Sequence, residues 1–434
     1  MIKLNEHKEP QHSVTSQRYL TPNKVTVFMS QHLGSPAELI VKPGDEILRG
    51  QIIAKTTGFV SANVHSPVTG KVLKVEYAKH PILKHAEAVI IGPDYTKPRV
   101  NFKPKDTIKF SKEEILNIIK ESGIVGMGGA TFPTHVKLMP KSPVDTLIIN
   151  GSECEPYLAT DCRVMLEYTN EILKGVEILA KLLDVKTVIF GIAENKPRAI
   201  KLFEETIENG KYDFPLVKIA ELNAGYPQGG EKQLINIVTK RKVPPRGLPM
   251  DVGCVVHNVG TCLAVYDAVY KGKPFIERLV TFCGDALKEP KNVWVTIGTN
   301  LKELFDSNIL EFKTAPKKII CGGPMMGIAL DSLDYPIIKG SGGFVFLSHD
   351  EAEVPETPCL SCSRCVDVCP MNLLPNEFVR AVKAGEYELL EDMNLIDCME
   401  CGCCVYSCPA KIPVVHYVRM GKQFLRNHAV KEKK

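Results

Sequence analysis

The sequence predicts a chain of several domains, α/β and α+β in class, and three features carry that prediction. Eight cysteines between residues 359 and 408 fall into two copies of one spacing. The middle of the chain alternates strand-like and helix-like segments. The first hundred residues break into short β-branched runs separated by glycine and proline. A length of 434 residues suits about three domains and leaves ample apolar surface for their cores.

Composition narrows the function classes. With 44% hydrophobic and 24% charged residues the chain reads as an ordinary globular protein, and a formal charge of +4 gives no case for nucleic acid. Fifteen cysteines would suit disulfides in a small secreted protein. This chain is large and opens with no signal-peptide pattern, so a reducing cytoplasm is expected. No run of about 18 apolar residues appears. The nearest, over 252–270, is interrupted by His257, Asn258 and Asp267 and reads as a strand followed by a buried helix. Membrane contact is therefore expected only through partners.

In chain order, residues 1–24 are polar and are expected to form an arm without periodicity. Residues 25–100 carry strand–turn–strand signals at Val41-Lys-Pro-Gly-Asp-Glu-Ile, Gly50-Gln-Ile-Ile-Ala and Ser66-Pro-Val-Thr-Gly-Lys-Val. This texture resembles a lipoyl- or biotinyl-type barrel-sandwich hybrid. The stretch 56–65 between its halves has no lysine to modify, so a structural or docking module is expected. A helix over 112–122 follows, with Ile115, Leu116, Ile118 and Ile119 as its apolar face. Then come a strand over 145–150, a helix over 165–183, a strand over 187–192, a helix over 196–208 and a strand over 216–220. That alternation predicts an open sheet with helices on its faces. Two further helices are expected over 229–240 and 258–272. Residues 273–349 return to short strands around one helix at 301–307, with Gly322-Gly-Pro-Met-Met-Gly327 as a tight turn. An acidic linker over 350–356 precedes the cysteines, and a basic tail over 411–434 carries seven Lys/Arg. The tail suits a solvated helix end, with an acidic partner or a membrane surface as the alternative.

The cysteine runs are Cys359-x2-Cys362-x2-Cys365-x3-Cys369-Pro370 and Cys398-x2-Cys401-x2-Cys404-x3-Cys408-Pro409. This is the spacing of bacterial dicluster ferredoxins, in which the fourth cysteine ligates the other cluster. The expected ligand sets are crossed. Cys359, Cys362, Cys365 and Cys408 would hold one [4Fe–4S] cluster, and Cys398, Cys401, Cys404 and Cys369 the other. Zinc also takes Cys-x2-Cys pairs, but rarely three thiolates within seven residues and a fourth before proline. Cys403 lies inside the second run but outside its spacing and is expected to be a bystander. The remaining six (Cys154, Cys162, Cys254, Cys262, Cys283 and Cys321) read as buried free thiols. Residues 350–410 are thus expected to be a helical dicluster ferredoxin, with helices over 376–384 and 386–393.

Two clusters make a wire for single electrons, and a second set of motifs offers its terminus. The loop Gly126-Met-Gly-Gly-Ala-Thr-Phe-Pro-Thr-His-Val-Lys137 can bring backbone N–H groups against an anion, with Lys137 adding charge, although it also fits a simple tight turn. Asn150-Gly-Ser-Glu-Cys-Glu-Pro156 follows a strand, where open α/β sheets place ligands. Tyr226-Pro-Gln-Gly-Gly-Glu231 and His257-Asn-Val-Gly-Thr261 each open a helix. A first-turn Glu or a capping Asn is ordinary singly; the four together point to one crevice.

In these motifs the chain resembles the flavin- and NADH-binding subunit of respiratory complex I and its hydrogenase and formate dehydrogenase relatives. Over about 25–410 it resembles the RnfC family, a component of the Rnf electron-transport complex, more closely. Gln31-His-Leu-Gly-Ser-Pro-Ala37 and Gly322–Gly327 fit that family too. The resemblance implies a barrel-sandwich hybrid over 25–100, a Rossmann-like FMN/NADH-binding domain over 101–272, a β-grasp (SLBB-like) unit over 273–349 and the dicluster ferredoxin. It implies noncovalent FMN at Gly126, Gly128, Gly129, Lys137, Asn150, Glu153, Tyr226, Gly229, Asn258 and Thr261, and NADH beside Phe132, Glu155 and Glu231. Met127, Ser152, Gly230 and His257 depart from the complex I relatives. The implied activity is electron transfer between NAD(H), FMN and the two clusters, coupled to ion translocation by partners. Those partners would be membrane subunits and a ferredoxin-like cluster subunit, with this chain peripheral on the cytoplasmic face of the bacterial membrane. No catalytic acid, base or nucleophile is needed for hydride transfer. A soluble cobalamin reductase of bacterial microcompartments and a flavin-free relay or docking subunit are the alternatives.

Overall fold

The computed structural model describes residues 1–98, 100–103, 110–350 and 354–431. Two small sheets face each other near the start of the chain. One has four strands in the order Val25–Phe28, Lys84–Pro93, Gly70–His80, Glu46–Ile47; the other joins Glu38–Leu39, Ile52–Lys55 and Val64–His65. Their inner faces bury Val25, Val27, Ile47, Ile53, Val64, Val72, Val89 and Ile91. The hairpin joining the last two short strands is closed by the Thr56 amide on Asn63 Oδ1 at 3.0 Å and leaves Phe59 exposed.

The helix Lys112–Glu121 starts on a capping box, Ser111 Oγ accepting from the Glu114 amide and Glu114 from that of Ser111. It leads to a parallel sheet ordered Leu216–Leu222, Thr187–Ala193, Thr146–Gly151, Cys254–Asn258. The first three strands run outward in sequence and the fourth returns to the far side of Thr146–Gly151. The strand order therefore reverses between Thr146–Gly151 and Cys254–Asn258, whose register pairs Asn150 with Asn258. On one face the helices Thr169–Leu183 and Val259–Lys271 cross closely, because Gly175 lies where any β-carbon would come within 2.0 Å of the Cys262 carbonyl oxygen.

The single helix expected over 165–183 is two, Thr160–Glu167 and Thr169–Leu183. Tyr168 between them takes φ −135°, outside the helical range. Its ring packs edge-on against Trp294 at 5.6 Å, and Glu167 accepts from the Ser16 amide at 2.8 Å, so contacts distant in sequence set the break.

The fourth sheet has six strands in the order Gln17–Tyr19, Lys291–Thr296, Glu277–Cys283, Gly343–Leu347, Lys318–Cys321, Ile328–Leu330, with the helix Leu301–Asp306 against its core. Its edge strand comes from the segment expected to be an arm. Residues 1–24 instead lie along the body. From Met1 to Lys8 the even positions Ile2, Leu4, Glu6 and Lys8 turn inward while the odd ones stay exposed. The alternation escapes a hydrophobic pattern because two of its inward residues are charged and find partners far along the chain.

Within the cysteine-rich domain the helices are Arg364–Asp367, Pro375–Ala384, Leu389–Asp392, Cys403–Tyr406 and Val414–Lys431. The helix expected over 386–393 is shortened to Leu389–Asp392. The tail is not merely a solvated end. Val414 and Val418 join the core of Phe378, Val382, Leu390 and Leu395, and Arg419 and Lys422 both pair with Glu400 at 2.8 Å. Of the acidic linker, 351–353, and of the tail, 432–434, lie outside the described residues.

Candidate functional site

The loop after Lys112–Glu121 returns on itself, the Gly126 amide donating to the Phe132 carbonyl at 2.8 Å. It lies over the carboxyl end of Cys254–Asn258, one of the two strands that flank the reversal. The Met127 amide donates to Thr261 Oγ1 at 3.0 Å, and a β-carbon on Gly128 would touch Asn258. Gly129 holds φ +107°, and nothing stands within 4 Å of where its β-carbon would be. Backbone thus lines open space at the position where open α/β sheets receive ligands.

Around that space the expected residues fall into two groups. Asn258 caps its helix by accepting from the Gly260 amide at 2.8 Å. Asn150 donates to the Gly229 carbonyl at 2.9 Å and accepts from Ser152 Oγ at 2.6 Å. Lys137 bonds Glu231 Oε1 at 2.5 Å and the Val256 carbonyl at 3.1 Å, so the expected phosphate-binding lysine and one expected dinucleotide contact hold each other. A β-carbon on Gly229 would meet Ser152 Oγ at 2.4 Å. His257, buried beside Asn258, has an Nε2 without a partner among the described residues, and burial lowers it to about 3, so it is neutral.

The two motif glutamates are committed elsewhere. Glu153 caps the helix Thr160–Glu167, accepting from Thr160 Oγ1 at 2.9 Å and from the Asp161 and Cys162 amides at 2.8 and 3.2 Å. Burial pushes its carboxyl up, but Lys8, Lys196 and the Asp161 amide outweigh that and leave it below the usual value. Asp161 is raised by burial and by the charge of Glu153, and its Oδ2 accepts from Asn258 at 2.7 Å. Glu153 therefore reaches Asn258 through Asp161. Glu155 accepts from the Met325 and Met326 amides at 3.3 and 2.6 Å and so anchors the Gly322–Gly327 turn. Burial raises its carboxyl to about 7. Sequence reasoning missed Lys8, Lys196 and Asp161. Asp161, one residue past a helix start, was the only one with a local signal.

The cysteine domain meets this site at Tyr226. That side chain is 2% exposed, and its hydroxyl donates to the Cys401 carbonyl at 2.7 Å. Met399, between two cysteines of the second run, lies so close that a β-carbon on Gly230 would come within 2.6 Å of its methyl group. This close contact leaves no room for a side chain at position 230. Gln233 and Lys232 on the next turn reach the Pro370 carbonyl and Asp397 at 3.3 and 3.5 Å.

The two cysteine runs are structural copies. Ser361, Ser363 and Asn372 have positive φ in the first; Glu400, Gly402 and Lys411 have it in the second, each displaced by the interval that separates Cys359 from Cys398. Such residues turn amides inward, as with Ser361 on Cys359 Sγ and Leu373 on Cys369 Sγ, both at 3.4 Å. Cys369, Cys398, Cys401 and Cys404 line one cavity together with Cys403, which lies outside the spacing, and Met371, Leu373, Phe378 and Val418 wall it. Burial raises Cys404 to about 12, with the sulfurs of Cys398, Cys401 and Cys369 adding to the rise. In the other run, burial raises Cys365, and the sulfur of Cys408 adds to that rise. The last cysteine of each run thus lies beside the other run. Several sulfurs around an apolar cavity with inward amides suit a sulfur-rich cluster. Cys359 and Cys362 are exposed, whereas Cys401 and Cys403 are buried against the parallel-sheet domain. Cys403 matches exposed Arg364 of the first run, so the side of the repeat that faces inward carries the small apolar residue.

Comparison with known proteins bears on each part. Residues 2–96 match the RnfC barrel sandwich hybrid domain, 119–267 the Nuo51 FMN-binding domain and 358–412 a 4Fe-4S dicluster domain. The C-subunit of the proton-translocating ferredoxin:NAD(+) oxidoreductase complex of Clostridium ljungdahlii is 46% identical over 95% of this chain and 90% of its own length. Its counterpart in the Na(+)-translocating complex of Acetobacterium woodii is 38% identical over 93% and 91%. The C-subunit of the ion-translocating oxidoreductase complex of Rhodobacter capsulatus is 39% identical over 97% and 82%. Among solved structures, an NAD+-reducing [NiFe]-hydrogenase chain matches with TM-score 0.52 at 17% identity, over 71% of this chain and 61% of its own, a likeness of fold.

Proposed function

This chain belongs to the RnfC family, a component of Rnf ion-translocating ferredoxin:NAD(+) oxidoreductases, and from that premise we propose that it exchanges electrons between NADH and its cysteine domain across one noncovalently bound FMN. The observation that carries the proposal is Tyr226, a residue of the flavin-type site whose hydroxyl bonds the backbone of Cys401. FMN supplies the conversion between a two-electron hydride and single electrons, which clusters require.

The residues divide the work. The amides of Gly128 and Gly129 with Lys137 would hold the phosphate, Gly126 would close the loop that presents them, and Asn150, Asn258 and Thr261 would fix loop and strands around it. Glu153 acts through Asp161 on Asn258 and is a positioning residue. NADH would approach beside Phe132 and Glu231; Glu155 serves first as the anchor of the Gly322–Gly327 turn. The cavity ringed by Cys369, Cys398, Cys401 and Cys404 would hold the [4Fe–4S] cluster nearer the flavin. Cys359, Cys362, Cys365 and Cys408 would hold a second, at the exposed end, where another cluster-carrying protein of the complex would dock. The six-stranded sheet with its single helix is consistent with a β-grasp unit.

Among the described residues no helix is long and apolar enough to cross a membrane, so attachment to the complex would run through other subunits. The test is an anaerobic NADH titration of the reconstituted chain followed by absorbance and low-temperature EPR. About eight irons and one FMN per chain, with flavin bleaching and then reduced-cluster signals, are expected. Clusters without any response to NADH would leave only a relay.

A further inference from the structure

The first residues of the chain run across the boundary between the flavin-type domain and the cysteine domain. Ile2 and Tyr226 exchange both backbone hydrogen bonds, each at 2.9 Å, which fixes Tyr226 from the side opposite its hydroxyl contact. Ile2 and Leu4 pack with Met325 and Met399 around Tyr226, Cys401 and Cys403, so this small apolar cluster joins four segments distant in sequence. Further along, the Tyr157 amide donates to the Glu6 carbonyl at 2.7 Å, Glu6 accepts from Asn195, His7 stacks on Tyr157 at 4.6 Å, and Lys8 donates to the Glu153 carbonyl. The segment is then anchored in the six-stranded sheet through Gln17–Tyr19. Every inward residue from 2 to 8 therefore contacts the flavin-type domain or the cysteine domain.

We propose that Ile2–Lys8 is a strap that holds the cysteine domain in register with the flavin-type domain, with Ile2 and Leu4 as positioning residues for Tyr226 and the Cys401–Cys404 loop. An unstrapped Tyr226 keeps its place in the chain, but one edge of its backbone goes unpaired and the apolar cluster loses its outer wall. The gap between the two domains then opens to water, and the Cys401 contact becomes intermittent. Its kinetic consequence rests on the flavin-to-cluster reading above; its structural consequence does not.

The test uses the full chain with its cofactors and two variants, Ile2→Pro, which removes the amide donor to Tyr226, and Leu4→Asp, which puts a carboxylate into the apolar cluster. Leu4→Ile is the control expected to behave as the unaltered chain. Hydrogen exchange at the amides of 399–404 should accelerate roughly tenfold in both variants, the scale of losing one or two backbone hydrogen bonds and their packing. In stopped-flow mixing with NADH, flavin bleaching should keep its rate while cluster reduction slows. Unchanged exchange at 399–404 in both variants would overturn the strap. If NADH fails to bleach flavin even in the unaltered chain, the flavin reading falls, and the exchange arm alone decides the strap.

Discussion

Replacing Glu153 by alanine separates two roles for a residue that the sequence ties to the flavin and the structure ties to a helix start. In Glu153→Ala the Asp161 and Cys162 amides and Thr160 Oγ1 lose their acceptor, and Lys8 and Lys196 lose their anion in a buried place. Losing a helix cap costs about 1–2 kcal/mol, and here three donors lose one charged acceptor, so the expected local destabilisation is about 2 kcal/mol. That is about thirtyfold faster exchange for the amides of Thr160–Glu167. Lys8 and Lys196 bond the Glu153 and Ser152 carbonyls, so the carboxylate acts on them as a nearby charge. Glu153→Gln keeps an acceptor oxygen and should lose less. Lys8→Met should cost less in the Glu153→Ala background than alone, by about 1–3 kcal/mol of coupling. The assay is site-resolved hydrogen exchange on the chain without flavin, so ligand binding does not enter. A change below about 1 kcal/mol with no coupling to Lys8 would refute the reasoning and return Glu153 to a direct ligand role.

Two further outcomes follow from the same geometry. Cys369→Ser and Cys398→Ser, combined, should remove one cluster and leave about four irons, whereas Cys369→Ser with Cys359→Ser should remove both; iron analysis and EPR of the two double variants decide between crossed and uncrossed ligation. Glu155, raised from 4.5 to about 7, binds its proton more tightly in the folded state than in the unfolded one. Its contribution therefore favours folding at low pH and is lost as pH rises through about 7, by roughly 3 kcal/mol, a slope that Glu155→Gln should flatten in exchange of the Gly322–Gly327 amides.

Much of the site was legible because its signals are local. The cysteine spacing is a covalent fact of the chain, and the positive-φ residues that shape each loop sit at fixed offsets from the cysteines. The glycines of 126–129 and the Asn-Val-Gly-Thr helix start are local in the same way, since cap and turn geometry depend on neighbours in sequence. The parallel sheet followed from apolar runs alternating with helical periodicity.

What stayed hidden depended on partners far along the chain. Nothing near Lys8 indicates that a buried carboxylate waits at Glu153, and nothing near Gly230 indicates Met399. A charged residue reads as exposed until its counter-charge is placed, so the alternation Ile2, Leu4, Glu6, Lys8 looked like polar arm rather than strap. Glu155 and Glu231, equivalent by motif, were separated only by which amide or cation each one met. The chain's local chemistry specified its domains and cofactor-type loops; only packing across domain boundaries, which pairs groups without any sequence period, decided how those domains are joined and which residues do the joining.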